Sequence, residues 1–498
     1  MRLTILSRAS DLARLQAMLV GRAIEAGVPG AAVTYVSRTS SGDRDDSTPL
    51  TSLPTKGVFT ADLSDQLASG AVDLVVHSWK DLPLDSAGPA GGRPDTVVAA
   101  TLERADPRDL LLVRRSVAEA RPSTLRVLSS SPRREWLLRT TLPTLLPWPV
   151  ANLEFLPVRG NIATRLHRLV EGRGDALVVA KAAIDRLLGF GAPFEAAART
   201  VRAALAEARW MVLPTREVPG APAQGAIAVE VAAANHAVRD ALRAISHEPT
   251  WLAVTRERDV LAAHGGGCHE ALGATVLPRR YGRIVSVRAN TSSGGRAEEW
   301  ILTDAGHPFP RAEAARVWPR PDERGHGERR LLDVAQPDDD RGFWVARAEA
   351  LPSAWTVSPD RMVWAAGGAT WRKLAARGIW VQGSAEGLGD GEEPGVDDLA
   401  GRRVEWHRLT HEGVDAANAL ATYAVAERLP NDLPARTHFF WTSSTSLRRA
   451  IDQWPSIRNG WHSSGPGRTW QALEAALGPG GRSRVSLDYD AWHREVTA

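Results

Sequence analysis

Val75-Val76-His77-Ser78-Trp79-Lys80-Asp81-Leu82-Pro83 reads as a strand that stops and hands a Lys-Asp pair to one edge of a sheet. The run Leu74 to His77 is short and apolar, as expected of a strand covered on both faces. A carboxylate delivered to a sheet edge can stabilise a developing cation or shuttle a proton. An ordinary ion pair at a strand end is the plainer alternative.

Outward from this stretch, strands and helices alternate. Leu3 to Leu6 and Ala32 to Val36 read as strands. Asp11 to Ala26 reads as a helix with Leu12, Leu15 and Leu19 on one face. Phe59 to Ala68 reads as another, with Leu63 and Leu67 inward. This is α/β patterning with largely parallel strands. Thr39 to Lys56 is polar and reads as a loop able to lie over a cleft.

A second α/β block follows. Its strands are Leu125 to Leu128, Glu154 to Val158 and Ala176 to Val179. Its helices are Pro132 to Leu142, Ile162 to Glu171 and Lys181 to Leu188, each starting soon after a strand. Such helix starts offer free N–H groups and a positive dipole end to anions. Arg133 and Arg134 lie in the first turn of one, Arg159 precedes the next, Arg165 follows one turn in, and Arg186 is on the third. Singly, each fits a solvated face or a salt bridge. Together they point to a ligand with several carboxylates or phosphates, held where parallel strands end.

Composition bounds the rest. A chain of 498 residues with 43% hydrophobic residues predicts several packed domains. No apolar run reaches membrane-spanning length, and the first residues turn polar too early for a signal peptide. The net charge of +3 does not suggest a general nucleic-acid binder, and the arginines lack interleaved aromatics in one patch. Cys268 is the only cysteine, which excludes an internal disulfide and suits a reducing cytoplasm.

That cysteine ends the run Leu261-Ala262-Ala263-His264-Gly265-Gly266-Gly267-Cys268-His269-Glu270, between a helical stretch from Thr250 and an apolar strand, Ala271 to Leu277. Three glycines clear one face of the thiol, so a bulky group could approach it or be attached to it. A small buried hydrophobe in a turn is the competing reading. Only His264 and His269 stand nearby as further ligands, too few for a metal, and none is expected.

After Ile284 to Ala289, a Pro-, Arg-, Asp- and Gly-rich region from Pro319 to Gly342 reads as a linker. A further α/β unit begins at Phe343. It contains the buried strand Phe439-Phe440-Trp441, running into Thr442-Ser443-Ser444, and the turn Gly465-Pro466-Gly467-Arg468-Thr469.

The first 290 or so residues resemble hydroxymethylbilane synthase, also called porphobilinogen deaminase. The resemblance is carried, in order, by Ser7-Arg8-Ala9-Ser10, Gly42-Asp43, Lys56-Gly57-Val58-Phe59, Val76 to Pro83, Arg104-Ala105-Asp106-Pro107-Arg108-Asp109, Ser130-Ser131-Pro132-Arg133-Arg134, Val158 to Leu166, Gln224-Gly225-Ala226 and Gly266-Gly267-Cys268. It implies two lobes like those of periplasmic binding proteins, plus a small α+β domain carrying a dipyrromethane cofactor on Cys268 through a thioether. Four porphobilinogen molecules are then deaminated and joined to that primer.

Carried over residue by residue, Asp81 and Lys80 would be catalytic. Cys268, Arg133, Arg134, Ser130, Ser131 and Arg159, with Lys80 and Asp81, would hold the cofactor. Arg8, Ser10, Arg159, Arg165, Arg186, Lys56 and Gln224 would hold substrate. The implied division is 1–103 with 224–246 as lobe 1, 104–223 as lobe 2, 247–318 as the cofactor domain, 319–342 as linker and 343–498 as a C-terminal α/β domain. That tail is similar, more faintly, to uroporphyrinogen-III synthase, through Val345-Ala346-Arg347, Trp441 to Ser444 and Gly465 to Thr469. At roughly 155 residues it looks short for that enzyme's two lobes. The expectation is a cytoplasmic monomer without nucleic-acid or membrane partners. A non-catalytic receptor for an anionic ligand is the rival, and Cys268, Lys80 and Asp81 speak against it.

Overall fold

The computed structural model describes residues 1–39, 61–84, 95–265, 270–291, 295–306, 308–324, 328–414, 418–426, 429–478 and 481–497. Lys56, Cys268 and His269 lie outside the described residues.

Two sheets of the same design form the first half. In lobe 1 the strand order is Ala32–Arg38, Arg2–Arg8, Leu74–Ser78, Ile227–Ala232, Thr96–Ala100. In lobe 2 it is Asn152–Leu156, Thr124–Leu128, Ala176–Ala180, Asp109–Arg114, Ala208–Val212. In each sheet the first three strands are parallel and the fourth runs antiparallel to both its neighbours. Four strands of five in each sheet therefore run the same way, as the largely parallel patterning predicts, and only the fourth is reversed. Leu74 to Val76 and all of Ala176–Ala180 are buried, because helices cover both faces.

Lobe 1 receives its fourth strand only after the chain has crossed into lobe 2 and returned. The two crossings touch where Ala105 donates its backbone N–H to the Gly225 carbonyl at 3.2 Å. Gly225 has a φ of +87°, and a Cβ there would fall 2.4 Å from the Ala105 oxygen, so this crossing requires glycine.

The third unit is an antiparallel sheet, Ala271–Arg279, Gly282–Thr291 and Gly295–Thr303, packed on the helix Glu248–Ala263. Pro249 does not interrupt this helix. His247 caps it, accepting from the Thr250 N–H, and Pro249 occupies the first turn, where its missing N–H costs nothing. Arg104 and Glu257 bind this unit to the crossing through contacts of 2.5 and 2.9 Å. Glu257 also accepts the backbone N–H groups of Ala223 and Val276, both at 2.7 Å.

The tail holds two sheets. One is six-stranded, in the order Glu328–Leu331, Ala419–Ala426, Trp406–His411, Gly342–Val345, Val363–Ala365, Gly383–Ser384, with only the first strand antiparallel. The other is parallel: Val317–Trp318, His438–Trp441, Trp461–Ser464, Ser483–Val485. The region read as a linker thus contains a strand, and the pair just before it opens the last sheet. Glu328–Leu331 is exposed throughout, and its charges suit an edge strand, which is why its composition mimics a linker.

The six-stranded sheet is not a separate bead. Phe343, Val345, Val363 and Trp371 share one apolar core with Leu111, Leu138, Leu145 and Met211 of lobe 2. Trp371 Nε1 donates to the Leu145 carbonyl at 3.1 Å, Trp380 Nε1 to the Trp210 carbonyl at 2.9 Å, and the Val212 N–H to the Gln382 carbonyl at 2.7 Å. Two indole N–H groups at this seam thus find carbonyls, whereas those of Trp344 and Trp364, which share a core with Leu110 and Leu112, are buried without a hydrogen-bond partner among the described residues.

Candidate active site

A cleft of about 640 Å³ lies between the lobes. Its lobe 1 wall comes from strand ends and the helix start that follows them. Arg8 ends the first strand, and Ser10 caps the helix Asp11–Gly27 by accepting from the Ala13 N–H. Lys80 and Asp81 sit on a single 3₁₀ turn, Trp79–Asp81, at the end of the third strand. That turn is held from three sides. The Trp79 N–H donates to the Ala226 carbonyl at 3.0 Å, Arg258 donates to the carbonyls of Leu82 and Pro83 at 2.9 and 2.8 Å, and Trp251 packs on Trp79 at 5.2 Å. The helix that leads to the cysteine loop therefore grips the turn that carries Asp81. Asp81 itself is exposed, and among the described residues nothing hydrogen-bonds to its carboxylate.

The lobe 2 wall comes from Arg134, Arg159, Asn161, Thr164 and Arg165. Asn161 caps the helix Ile162–Val170, accepting from the Thr164 N–H at 2.9 Å. Arg165 Nε donates to the Gly160 carbonyl at 2.8 Å, which turns its guanidinium back towards the helix start. Burial, with repulsion from Arg134, pushes Arg165 down to about 10, so it remains charged at neutral pH. One terminal nitrogen of Arg159 is buried with no hydrogen-bond partner. Five cations, Arg8, Lys80, Arg134, Arg159 and Arg165, face two carboxylates, Asp11 and Asp81, so the cleft is built for an anion with several charges.

Lys80 is half-buried and donates to Gln224 Oε1 at 3.2 Å. Burial pushes its ammonium down to about 8, against the pull of Asp81. The charge on this lysine is therefore sensitive to pH in a range where the arginines are not.

Other residues expected at the site are placed elsewhere. Arg133 and Arg134 converge on the fully buried Asp109, at 2.8 Å each. Although burial alone would raise it, these two guanidiniums hold Asp109 well below the usual carboxylate range. Arg134 still lines the cleft, whereas Arg133 does not, and it also donates to the Pro219 carbonyl. Ser130 exchanges hydrogen bonds with the backbone of Val158, and Ser131 caps the helix Pro132–Leu145. Arg186 donates to the Gly225 carbonyl at 2.6 Å, at the crossing rather than in the cleft, and burial pushes it down to about 10. Gln224 is fully buried.

Gln16, by contrast, lines the cleft and was not among the expected site residues. Its amide exchanges hydrogen bonds with the Ser78 hydroxyl at 3.0 and 3.2 Å. Its signal in the sequence is a polar residue on the same helix face as Leu12, Leu15 and Leu19.

Among the described residues there is no group of three or more ligating side chains that could hold a metal ion, and no helix long and apolar enough to cross a membrane.

Two α/β lobes, crossed twice by the chain and closing on a cation-lined cleft, define a two-lobed protein of the type that encloses an anionic ligand. Comparison narrows the class. The family described as "Porphobilinogen deaminase, dipyromethane cofactor binding domain" matches residues 3–240. The porphobilinogen deaminase of Roseiflexus sp. (strain RS-1) is 36% identical over 55% of this chain and 80% of its own length. That of Burkholderia orbicola (strain MC0-3) is 35% identical over 59% and 79%. That of Acidothermus cellulolyticus is 37% identical over 54% and 73%.

The chain belongs to the porphobilinogen deaminase family. It is accordingly an enzyme, a transferase, and its family's cofactor is dipyrromethane. A non-catalytic receptor is not favoured. The cleft suits such a cofactor: the unmet nitrogen of Arg159 and the surrounding cations are a donor set for pyrrole carboxylates.

Proposed function

We propose that the interlobe cleft deaminates porphobilinogen and joins four units into linear hydroxymethylbilane, and that residues 343–498 close this product to uroporphyrinogen III. The observation that supports the first part is an exposed Asp81 beside Lys80, set opposite a wall of arginines.

Each substrate carries an acetate and a propionate, which suit Arg8, Lys80, Arg159 and Arg165. Ser10, Gln16 and Thr164 supply neutral hydrogen bonds from the two walls. When bound on Cys268, the dipyrromethane would supply a pyrrole α-carbon that takes up the first unit in exchange for its own proton, and water would free the finished four-unit chain as hydroxymethylbilane. Deamination breaks the bond between the aminomethyl carbon of porphobilinogen and its nitrogen, which leaves as ammonia with a proton. The carbon left behind shares a positive charge with the pyrrole nitrogen. Asp81 faces that charge, which is largest after ammonia has gone, so its contribution falls mainly on turnover. Arg165 and Arg159 keep the carboxylates at the far wall, which directs the reactive carbon towards lobe 1. On this reading the enzyme works in the cytoplasm as a monomer, where a single thiol stays reduced.

The test of this part is Asp81→Asn, which should lower kcat by about 10²-fold or more, given the usual cost of losing a charge aimed at a transition state. The side chain is exposed, so its thermal unfolding should be unchanged. A folded variant that consumes porphobilinogen within a few-fold of wild type would refute the role.

For the tail, the support is its pair of mostly parallel sheets, the two-lobed arrangement that the sequence seemed too short to provide. Thr442 and Ser443 follow one strand, and Ser443 caps the helix Ser444–Gln453. Gly465 to Gly467 join another strand to the helix Arg468–Leu477. Hydroxyls and a helix start can bind propionates. Isomer analysis decides: the full chain, given porphobilinogen alone, should yield the type III ring. Type I product only, the outcome of spontaneous closure, would remove the activity from the tail.

A further inference from the structure

We propose that Gln224 is a positioning residue for Lys80, fixing where its ammonium points and sustaining its charge. Gln224 lies on the crossing between the lobes and is fully buried, so it cannot itself touch substrate. Its amide has no freedom to rotate. Nε2 donates to the Pro107 carbonyl at 2.8 Å and to Asp109 Oδ1 at 2.9 Å, which uses both amide hydrogens on acceptors. A flipped amide would set Oε1 against two acceptors, so Oε1 is committed to the side where Lys80 Nζ sits at 3.2 Å. The backbone is pinned as well: the Gln224 carbonyl accepts from Arg104 Nε at 2.8 Å, and its N–H donates to the Ala221 carbonyl at 2.8 Å.

The acceptor side of this link is equally fixed. Asp109 is fully buried, and Arg133 and Arg134 each hold it at 2.8 Å. The chain Asp109–Gln224–Lys80 thus runs from the core of lobe 2, through the crossing, to the lobe 1 wall of the cleft. One N–H of the ammonium is taken by Gln224, and the others remain for the cleft that Lys80 lines. A neutral acceptor with a fixed direction favours the charged lysine without competing for it as a second carboxylate would. Gln224 would therefore act on substrate affinity through Lys80, not on the deamination step.

The inference rests on the role given to Lys80 above, and the experiment separates the two. The chain has only four lysines, Lys56, Lys80, Lys181 and Lys373, so lysine labelled with ¹³C at Cε gives few resonances in the full-length holoenzyme. Lys80→Arg assigns the one that matters. Its midpoint should lie near the value of about 8 set by burial. In Gln224→Met and Gln224→Asn the ammonium loses its acceptor, and the midpoint should fall by roughly half a unit or more. KM for porphobilinogen should rise about tenfold with kcat within about threefold, the scale of one lost hydrogen bond to a charged group. A midpoint that moves while KM does not would sustain the hold on Lys80 and remove Lys80 from substrate binding. A midpoint and KM both unmoved in either folded variant overturn the proposal.

Discussion

Replacing Asp109 with alanine tests whether Arg133 and Arg134 belong to the architecture or to the ligand. The carboxylate is fully buried and accepts from Arg133 at 2.8 Å, from Arg134 at 2.8 and 3.2 Å, and from Gln224 at 2.9 Å. Asp109→Ala leaves two buried guanidiniums without an anion. Removing one partner of a buried ion pair costs about 3–5 kcal/mol. At a urea slope of about 2 kcal/mol per molar, the unfolding midpoint of lobe 2 should drop by roughly 1.5–2.5 M. The amides of Asp109–Arg114, a central strand, should lose about two orders of magnitude or more of hydrogen-exchange protection. Because the folded pKa of Asp109 is depressed, its contribution is complete above the unfolded value near ~4 and is lost only as pH falls through the lower folded value. The deficit should therefore stay nearly constant between about pH 5 and pH 8. A variant within about 0.5 kcal/mol of wild type would refute this, because the two arginines would then be available to cofactor carboxylates instead.

Cys268→Ser should yield a chain whose intact mass lacks the two-pyrrole adduct and which gives no pink colour with Ehrlich's reagent. A normal adduct mass in that variant would move the attachment elsewhere. Trp371→Ala empties a fully buried site and strands the Leu145 carbonyl, so it should cost about 3–5 kcal/mol. The loss should appear in exchange at both lobe 2 and the six-stranded sheet, because they share that core. A loss confined to the tail would contradict a common core.

The parts of the fold that are legible in the sequence are those whose burial is purely apolar. Leu74 to Val76 and Ala176–Ala180 announce themselves as covered strands. Ile227–Ala232 and Asp109–Arg114 do not, because each contains a buried acid whose partners are distant in the chain. Glu230 is met by His77, Ser64 and Thr96, and Asp109 by Arg133 and Arg134. The same distance limits the site. Arg8, Ser10, Lys80, Asp81, Arg134, Arg159 and Arg165 reach the cleft because a strand end or helix start carries them there. Arg186 and Gln224 share the residue types of a ligand shell, but their partners at the crossing cannot be read from spacing. The abundance of tryptophan has no meaning as a list. Only for Trp371 and Trp380 does the structure give a reason at the seam, where their indole N–H groups find carbonyls across the unit boundary.

The return of the chain to lobe 1 also orders its folding in time. Ile227–Ala232 sits between Leu74–Ser78 and Thr96–Ala100, so the first sheet stays open until the whole of lobe 2 has been made. At about 5–20 residues per second, a ribosome leaves that gap for on the order of ten seconds. During this interval the facing edges of Leu74–Ser78 and Thr96–Ala100 have no partner, and Glu230 is not yet present to meet His77. Lobe 2, whose five strands lie between residues 109 and 212, is complete first. The amino-terminal lobe is therefore assembled second, on a neighbour already formed, and the nascent chain is most open to misassociation through its own earliest strands.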